Sequence, residues 1–320
     1  MVDLSVRPRL ADLSRLGGPA EVEIEAHQAG IEDALEARRS PRRSPPSRFD
    51  GRTGYHEDFL GFTVPLPTPV GQKKQDVLAV AGSENGRLDY QHFSVVMSQA
   101  HRIAMFVAVN IDGAHTVEIA RERDKWQLDG RIPDEAQIGE DLYADNILDR
   151  GHLVRRQDPV WGTDATARIA NDDTFHFTNC SPQAANFNQK TWLSLEDYIL
   201  QNARVQDAKI TVFTGPIFRQ TDRLYRGVRI PLAYWKVVTF VSDAGRPSTT
   251  AYIVDQVEEL RDLEATFGAF RTYQRSVAAI ERLSGISFNG LADFDGFSNE
   301  EKASRTSIVA ELRSTADVRV

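Results

Sequence analysis

The chain of 320 residues lacks the features that mark several protein classes. Cys180 is its only cysteine, so it can form neither an internal disulfide nor a cysteine-based zinc site. No apolar run approaches the roughly 18 residues that a membrane-spanning helix needs. The N-terminal residues also lack the apolar stretch of a signal peptide. These absences predict a cytoplasmic protein without membrane spans.

The chain also lacks an excess of positive charge. A net charge of −8 argues against a nucleic-acid partner, because proteins that neutralise phosphates usually carry a basic surface. The charges are unevenly distributed, however. Between residues 197 and 236, seven arginines and lysines stand against three acids, whereas the region beyond Asp255 is acidic. A basic middle segment is compatible with binding of a polyanion to one face of the protein.

The composition, with 41% hydrophobic and 26% charged residues, is typical of a globular domain. Loose helical spacing predicts a helix at Ala20–Arg39. The Pro/Arg-rich stretch Ser40–Arg48 predicts an exposed linker without regular structure. A plain tether is the favoured interpretation of this linker, and a phosphate-contacting arm or a protease-sensitive hinge are the alternatives.

Runs of β-branched and aromatic residues predict several strands, namely Phe93–Met97, Ile103–Asn110, Thr116–Ala120, Phe175–Phe177, Lys209–Thr214, Trp235–Val241 and Ser248–Val254. The dipeptide Gly215-Pro216 is expected to end the fifth of these. Helical spacing predicts helices at Thr191–Val205, Arg271–Leu283 and Glu300–Leu312. Strands in runs with few helices between them favour an α+β fold.

The polar sequence Asp149-Arg150-Gly151-His152 contains groups suited to phosphate chemistry. An imidazole titrates at about pH 6.5, so His152 can accept a proton from water. Arg150 offers a planar fork for phosphate oxygens. Gly151 allows a turn or a close approach to a ligand, and Asp149, three residues before His152, could orient or polarise the imidazole.

A second group of polar residues follows at Asn188 and Glu196. The amide oxygen of Asn188 is a hard, neutral ligand that suits Mg²⁺. Each residue also has an ordinary structural explanation, since Asn188 could cap the helix near Thr191 and Glu196 could be an exposed helical carboxylate. Together with His152 they supply a base, an oxygen ligand and a carboxylate, the groups needed to hydrolyse a phosphodiester with one magnesium ion.

The order of these motifs resembles the DNA/RNA non-specific endonuclease family, which includes endonuclease G-like proteins. The likeness rests on eleven signature residues: Asp149, Arg150, Gly151, His152, Asn179, Pro182, Gln183, Asn188, Trp192, Leu195 and Glu196. It extends to Val212–Pro216, to Ile230-Pro231 with Trp235–Val238, and to the segment from Tyr273 to Phe288. In all it covers roughly residues 88–289.

The resemblance implies an α+β fold with a central antiparallel sheet flanked by helices and a ββα-metal (His-Me finger) catalytic element. It implies that His152 is the general base, and that Asn188 is the sole direct protein ligand to one Mg²⁺, with Mn²⁺ able to substitute. Glu196 would act in the outer shell through a water molecule.

The resemblance also implies that DNA and RNA are substrates and that the cleavage products carry 5′-phosphate ends. Arg150 and an upstream arginine would bind the scissile phosphate. The upstream residue is Arg123 or, since the spacing to Trp126 is not fixed, Arg121. Asp149 would support catalysis, and Asn179 and Gln183 would contact substrate.

On this interpretation residues 61–295 form the endonuclease domain, between an N-terminal helix and linker (residues 1–60) and a C-terminal helical tail (residues 296–320). Residues 1–50 are expected to mediate oligomerisation or to dock a regulatory partner. Two other functions stay open: a non-catalytic nucleic-acid-binding module of the same fold, and a phosphoesterase for small nucleotides.

Overall fold

The protein is described by a computed structural model. The described residues are 42–120, 124–145, 148–184, 196, 199–201, 203–204, 207–242, 244–256, 270–314 and 317–319. The predicted helix at Ala20–Arg39 lies outside them. None of the helices within these ranges is both long and apolar enough to cross a membrane.

A sheet of eight antiparallel strands forms the centre of the molecule. From one edge to the other the strands are β16 (Val309–Leu312), β14 (Phe270–Arg275), β13 (Pro247–Gln256), β12 (Ala233–Val241), β9 (Lys209–Pro216), β5 (Ala104–Asp112), β4 (Phe93–Met97) and β3 (Arg87–Tyr90).

Four pairs of short strands lie outside this sheet: β1 (Arg43–Ser44) with β6 (Leu128–Asp129), β2 (Thr68–Pro69) with β15 (Ile286–Ser287), β7 (Leu148–His152) with β8 (Cys180–Ala184), and β10 (Arg223–Tyr225) with β11 (Val228–Ile230). The 3₁₀ turns are Pro46–Phe49, Gly71–Asp76, Gly113–His115, Asp134–Ala136, Glu140–Leu142, Phe177–Asn179 and Leu291–Phe294.

Apolar side chains cover both faces of the central sheet, as the alternation of strand β12 shows. Tyr234 and Val238 belong to one hydrophobic cluster, whereas Trp235 and Val237 belong to the cluster on the opposite face. Successive side chains of a strand point to opposite faces, so Lys236 lies on the Tyr234 face. A lysine in the middle of this apolar strand requires a partner, because burying an unpaired ammonium is costly.

Three described helices have capped ends: α1 (Asp164–Asp173), α2 (Val277–Ser284) and α3 (Gly296–Ser304). The side chains of Thr163, Ser276 and Asp295 accept hydrogen bonds from the backbone amides that begin these helices. Residues 196, 199–201 and 203–204 are also helical and are called the Glu196 segment below. Its Ile199 and Leu200 pack in the cluster on the Tyr234 face of the sheet.

Most strand predictions for the central sheet are confirmed, whereas two helix predictions are wrong over part of their length. Arg271–Leu283 begins as strand β14 and becomes helical only after Ser276, whose hydroxyl caps α2. Glu300–Leu312 is helical only as far as Ser304, and its last four residues form strand β16. Pairing with the sheet therefore outweighs helical spacing in both segments.

Three strand predictions and the linker prediction also differ from the structure. Thr116–Ala120 makes one bridge at Thr116, and Phe175–Phe177 leads into a 3₁₀ turn. Strand β9 continues through Gly215-Pro216, because Pro216 lies at its end. In the predicted linker, Ser44 is buried and bonds to His176, so tertiary contacts order a stretch that has no structural preference of its own.

We expect Phe213→Ala to lower the free energy of unfolding by about 3–5 kcal/mol. Phe213 is fully buried in strand β9, and its ring contacts Tyr55 and Phe288. Urea denaturation would measure the change. Leu224→Ala is the control, because Leu224 is 62% exposed and its truncation should alter stability by less than about 0.5 kcal/mol. Equal effects of the two variants would contradict the placement of Phe213.

Candidate active site

The hairpin of strands β7 and β8 carries the Asp-Arg-Gly-His sequence. The strands are antiparallel, with His152 opposite Cys180 and Arg150 opposite Pro182. Arg150 and His152 are two residues apart and therefore point to the same face of the hairpin. Tyr234 links this hairpin to the central sheet. Its hydroxyl lies 2.8 Å from Ser181 Oγ and donates to the Pro182 carbonyl at 2.9 Å.

A contact within the hairpin leaves little room for a side chain at Gly151. A Cβ atom at this position would lie 2.1 Å from both Cδ and Oε1 of Gln183 on the paired strand. This contact constrains Gly151 in addition to its expected role in a turn or a close approach to a ligand, which stays a prediction. Gln183 is itself buried, at 4% exposure, and lies on the paired strand.

Asn179 fixes the chain that follows His152. Its Oδ1 accepts from the Val154 amide at 2.9 Å, and its Nδ2 donates to the carbonyls of Val154 and Thr174. Asn179 is completely buried. The prediction that Asn179 and Gln183 contact substrate is therefore not supported: both residues lie in the scaffold of the site and not on its surface.

Two aromatic side chains flank the imidazole of His152. The ring of Trp126 lies 4.7 Å away between centroids, and Phe175 meets the imidazole edge-on at 5.1 Å. Packing on two sides restricts the rotation of the imidazole ring of His152.

His152 opens into a cleft of about 570 Å³. The residues that line it are Asp124, Trp126, Asp149, Arg150, His152, Arg155, Arg156, Gln157, Phe175 and Glu196. The cleft thus brings together four of the predicted site residues, Asp149, Arg150, His152 and Glu196. Desolvation in the cleft raises the pKa of Asp149 above its ordinary value, and the charge of Arg150 offsets part of that shift.

A carboxylate holds the guanidinium of Arg150 at the wall of the cleft. Arg150 Nε donates to Glu140 Oε2 at 3.0 Å, and Nη2 pairs with the other carboxylate oxygen. The guanidinium also lies 5.6 Å from the centre of the Tyr143 ring. Bidentate pairing fixes the plane of the guanidinium and neutralises part of its charge.

Glu196, at the other side of the cleft, is paired with two cations. Lys236 Nζ lies 2.9 Å from Oε1, and Arg155 Nε lies 3.5 Å from Oε2. The side chains of Lys236 and Glu196 are only 3% and 7% exposed. The alternative that Glu196 is an exposed helical carboxylate is therefore wrong.

A second carboxylate, Asp158, completes this buried group of charges. Its Oδ2 accepts a hydrogen bond from the Arg155 amide at 3.3 Å. Burial raises the pKa of Asp158 to about 6, against the opposing influence of Arg155 and Lys236, and the negative charge of Glu196 adds to the rise. Asp158, Glu196, Arg155 and Lys236 are called the Glu196 cluster below.

The donor groups of the cleft suit a hydrated cation. Among the described residues, no three His, Cys, Asp or Glu side chains are grouped to enclose a metal ion. The carboxylates of Asp149 and Glu196, which line the cleft, are oxygen donors, the type of ligand that hard cations use. The predicted ligand Asn188 and the predicted phosphate-binding residues Arg123 and Arg121 lie outside the described residues.

Sequence reasoning missed Glu140, Arg155 and Lys236 as parts of the site. Glu140 and Arg155 carry no distinguishing signal, because charged residues in turns are common. Lys236 does carry one: it interrupts a strand of apolar and aromatic residues, Ala233–Val241. A charge at such a position indicates a buried partner.

Comparison with known proteins places this site in a family. A family model described as DNA/RNA non-specific endonuclease matches residues 74–294. "Uncharacterized protein y4fB" of Sinorhizobium fredii (strain NBRC 101917 / NGR234) is 45% identical over 244 residues, or 72% of this chain. The chain spans only 37% of the length of that relative.

Two named nucleases and one solved structure are more distant relatives. Nuclease C1 of Cunninghamella echinulata var. echinulata is 22% identical over 65% of this chain and 84% of its own length. The nuclease of Serratia marcescens is 25% identical over 66% of this chain and 78% of its own. A chain in the crystal structure of the EndoG/EndoGI complex matches with a TM-score of 0.50 and 17% identity, over 63% of this chain and 85% of that one. This last likeness shows the fold.

We expect Gly151→Ala to destabilise the protein by about 1–3 kcal/mol, because the new methyl group would overlap the side chain of Gln183. Denaturant unfolding would measure the loss. The variant that combines Gly151→Ala with Gln183→Ala should lose less stability than the sum of the two single changes, since the clash is then absent. Additive losses would show that Gly151 serves another purpose.

Proposed function

Because the chain belongs to the DNA/RNA non-specific endonuclease family, we propose that it is a Mg²⁺-dependent endonuclease that hydrolyses phosphodiester bonds in DNA and RNA. The observation that carries the proposal is the shared cleft of His152, Arg150 and Glu196. A base, a phosphate-binding cation and a carboxylate in one open cleft are the groups that phosphodiester hydrolysis requires.

His152 is the general base in this proposal. Its imidazole takes a proton from a water molecule as the water oxygen attacks phosphorus. The bond from phosphorus to the 3′ oxygen breaks, and the leaving 3′ oxygen takes a proton from solvent. The products carry a 5′-phosphate and a 3′-hydroxyl. Trp126 and Phe175 hold the ring in place, so little reorientation is needed at the moment of proton transfer.

Arg150 stabilises the negative charge that develops on the phosphate oxygens, and Arg123 is proposed as a second cation. Glu140 orients Arg150 toward the cleft. Asn188 would hold one Mg²⁺ or Mn²⁺ ion, with Glu196 in its outer shell. When bound, the ion would supply positive charge for the phosphate and the leaving oxygen.

Contacts to phosphate and sugar carry no base information, so a site built from arginines and a metal ion would cut many sequences. Arg155 and Arg156 add to Arg150 as basic lining of the cleft. A cytoplasmic location and an oligomeric or regulatory role for residues 1–50 complete the proposal, and both rest on the sequence alone.

We expect His152→Ala to reduce cleavage of plasmid DNA in magnesium buffer by about 10²–10⁴-fold, because the general base is lost. Conversion of supercoiled to nicked and linear plasmid would be followed on gels, with circular dichroism to verify the fold. His115→Ala is the matched control, since the side chain of His115 is 67% exposed and does not line the cleft. Nicking at the wild-type rate by His152→Ala would remove this residue from the mechanism.

Chelation by EDTA should abolish cleavage by the wild-type protein, and added Mg²⁺ or Mn²⁺ should restore it.

Asn188→Ala should raise the Mg²⁺ concentration for half-maximal activity by at least about 10-fold, because the direct ligand is removed. A magnesium titration of the cleavage rate measures this. A titration curve that matches the wild type would contradict the assignment of Asn188.

A further inference from the structure

We propose that Lys236 is a positioning residue that fixes the carboxylate of Glu196 at the cleft. The inference rests on the proposed nuclease function and extends it to a residue that cannot contact substrate. Lys236 does not line the cleft, and its side chain is 3% exposed. Any effect that it has on the reaction must therefore pass through a neighbour.

The contacts of Lys236 identify that neighbour. Its Nζ lies 2.9 Å from Glu196 Oε1 and donates to Thr214 Oγ1 at 2.9 Å. Thr214 is directly opposite Lys236 in the register of strands β9 and β12. The ammonium group of Lys236 is thus hydrogen-bonded to strand β9 through Thr214 and also contacts Glu196 in the segment that packs on this face of the sheet.

The rigidity of strand β12 gives this contact its precision. The strand is hydrogen-bonded along both sides, to β9 and to β13, and its residues from Ala233 to Val238 are buried. The Glu196 segment packs on the same face through Ile199 and Leu200. A charged hydrogen-bond donor on such a strand restricts the position of a carboxylate more than apolar packing does, because apolar packing is not directional.

Glu196 keeps the capacity to accept further hydrogen bonds. A carboxylate offers about four lone-pair sites on its two oxygens. Lys236 uses Oε1, and Arg155 approaches Oε2 at 3.5 Å. Glu196 still lines the cleft. Lys236 therefore orients the carboxylate from the side of the sheet, and the remaining lone pairs can bind water in the outer shell of a cation.

The experiment compares Lys236→Met with the wild-type full-length chain. We expect kcat for a duplex oligonucleotide to fall about 10- to 100-fold, because the carboxylate is misplaced. The KM for the oligonucleotide should change by less than about threefold, since Lys236 does not contact substrate. In an inactive His152→Ala background, Lys236→Met should weaken Mn²⁺ binding, measured by calorimetry, about 10-fold.

Thr239→Val is the matched control, because Thr239 lies in the same strand but on the opposite face. This substitution removes a buried contact with Thr249 Oγ1 at 3.2 Å and should leave both kcat and Mn²⁺ binding unchanged. A loss that is equal to that of Lys236→Met would mean that general destabilisation of β12 causes the effect, and would overturn the proposal.

A double-mutant cycle tests whether Lys236 acts through Glu196. In a Glu196→Gln background, Lys236→Met should lower kcat by less than about threefold, because the carboxylate it positions is already absent. If Lys236→Met lowered kcat as much in the Glu196→Gln background as in the wild type, the proposal would be contradicted. So would a Lys236→Met protein with wild-type kcat and wild-type Mn²⁺ binding.

Two variants keep the test decisive if Lys236→Met alone does not fold. Lys236→Met combined with Glu196→Gln removes both charges and avoids an unpaired buried carboxylate, and its kcat should equal that of Glu196→Gln. Thr214→Val removes only the second anchor of Lys236 and should lower kcat about threefold. An unchanged kcat for Thr214→Val would contradict the proposal.

The outcomes also separate this inference from the nuclease function. Failure of the wild-type protein to cleave DNA or RNA with Mg²⁺ or Mn²⁺ would count against the proposed function itself. Cleavage by the wild type together with equal cleavage and equal Mn²⁺ binding by Lys236→Met would count against the role of Lys236 alone.

Discussion

One face of strand β12 holds two parts of the cleft, the hairpin that carries His152 and the Glu196 segment. Tyr234 bonds through its hydroxyl to Ser181 and Pro182 of the hairpin that carries His152, and Lys236, two residues later, bonds to Glu196. Because the strand lies inside the sheet, it cannot move without breaking hydrogen bonds on two sides. The spatial relation between the His152 hairpin and the Glu196 carboxylate thus depends on the spacing of two side chains along one strand.

The Glu196 cluster explains why a charged residue is acceptable in that strand. Removing one member of a buried ion pair destabilises a protein by about 3–5 kcal/mol, because the remaining charge has no compensation. Here two carboxylates and two cations lie together, and the raised pKa of Asp158 shows that burial strongly disfavours its charge. The ion pair of Lys236 with Glu196 joins the Glu196 segment to the central sheet. The same charges therefore couple folding to assembly of the cleft.

Some features of the site could be predicted from the sequence and others could not. Arg150 and His152 lie on one short strand, so their spacing alone places them together. The pairs of Lys236 with Glu196 and of Arg150 with Glu140 join residues from separate segments, and local spacing carries no information about such contacts. The helix predicted at Arg271–Leu283 failed for a related reason, because its first residues pair with strand β13. Asn188 and Arg123 keep their predicted roles as proposals.

The signature residues divide into a chemical and a structural group, and this division explains why the pattern as a whole is specific. His152, Arg150 and Glu196 face the cleft. Gly151 and Gln183 fit against each other, and Asn179 clamps the chain after His152. The first group alone could occur by chance in any sequence, since each residue is common. The second group gives those side chains a fixed geometry, so the pattern of both groups is more specific than either group alone.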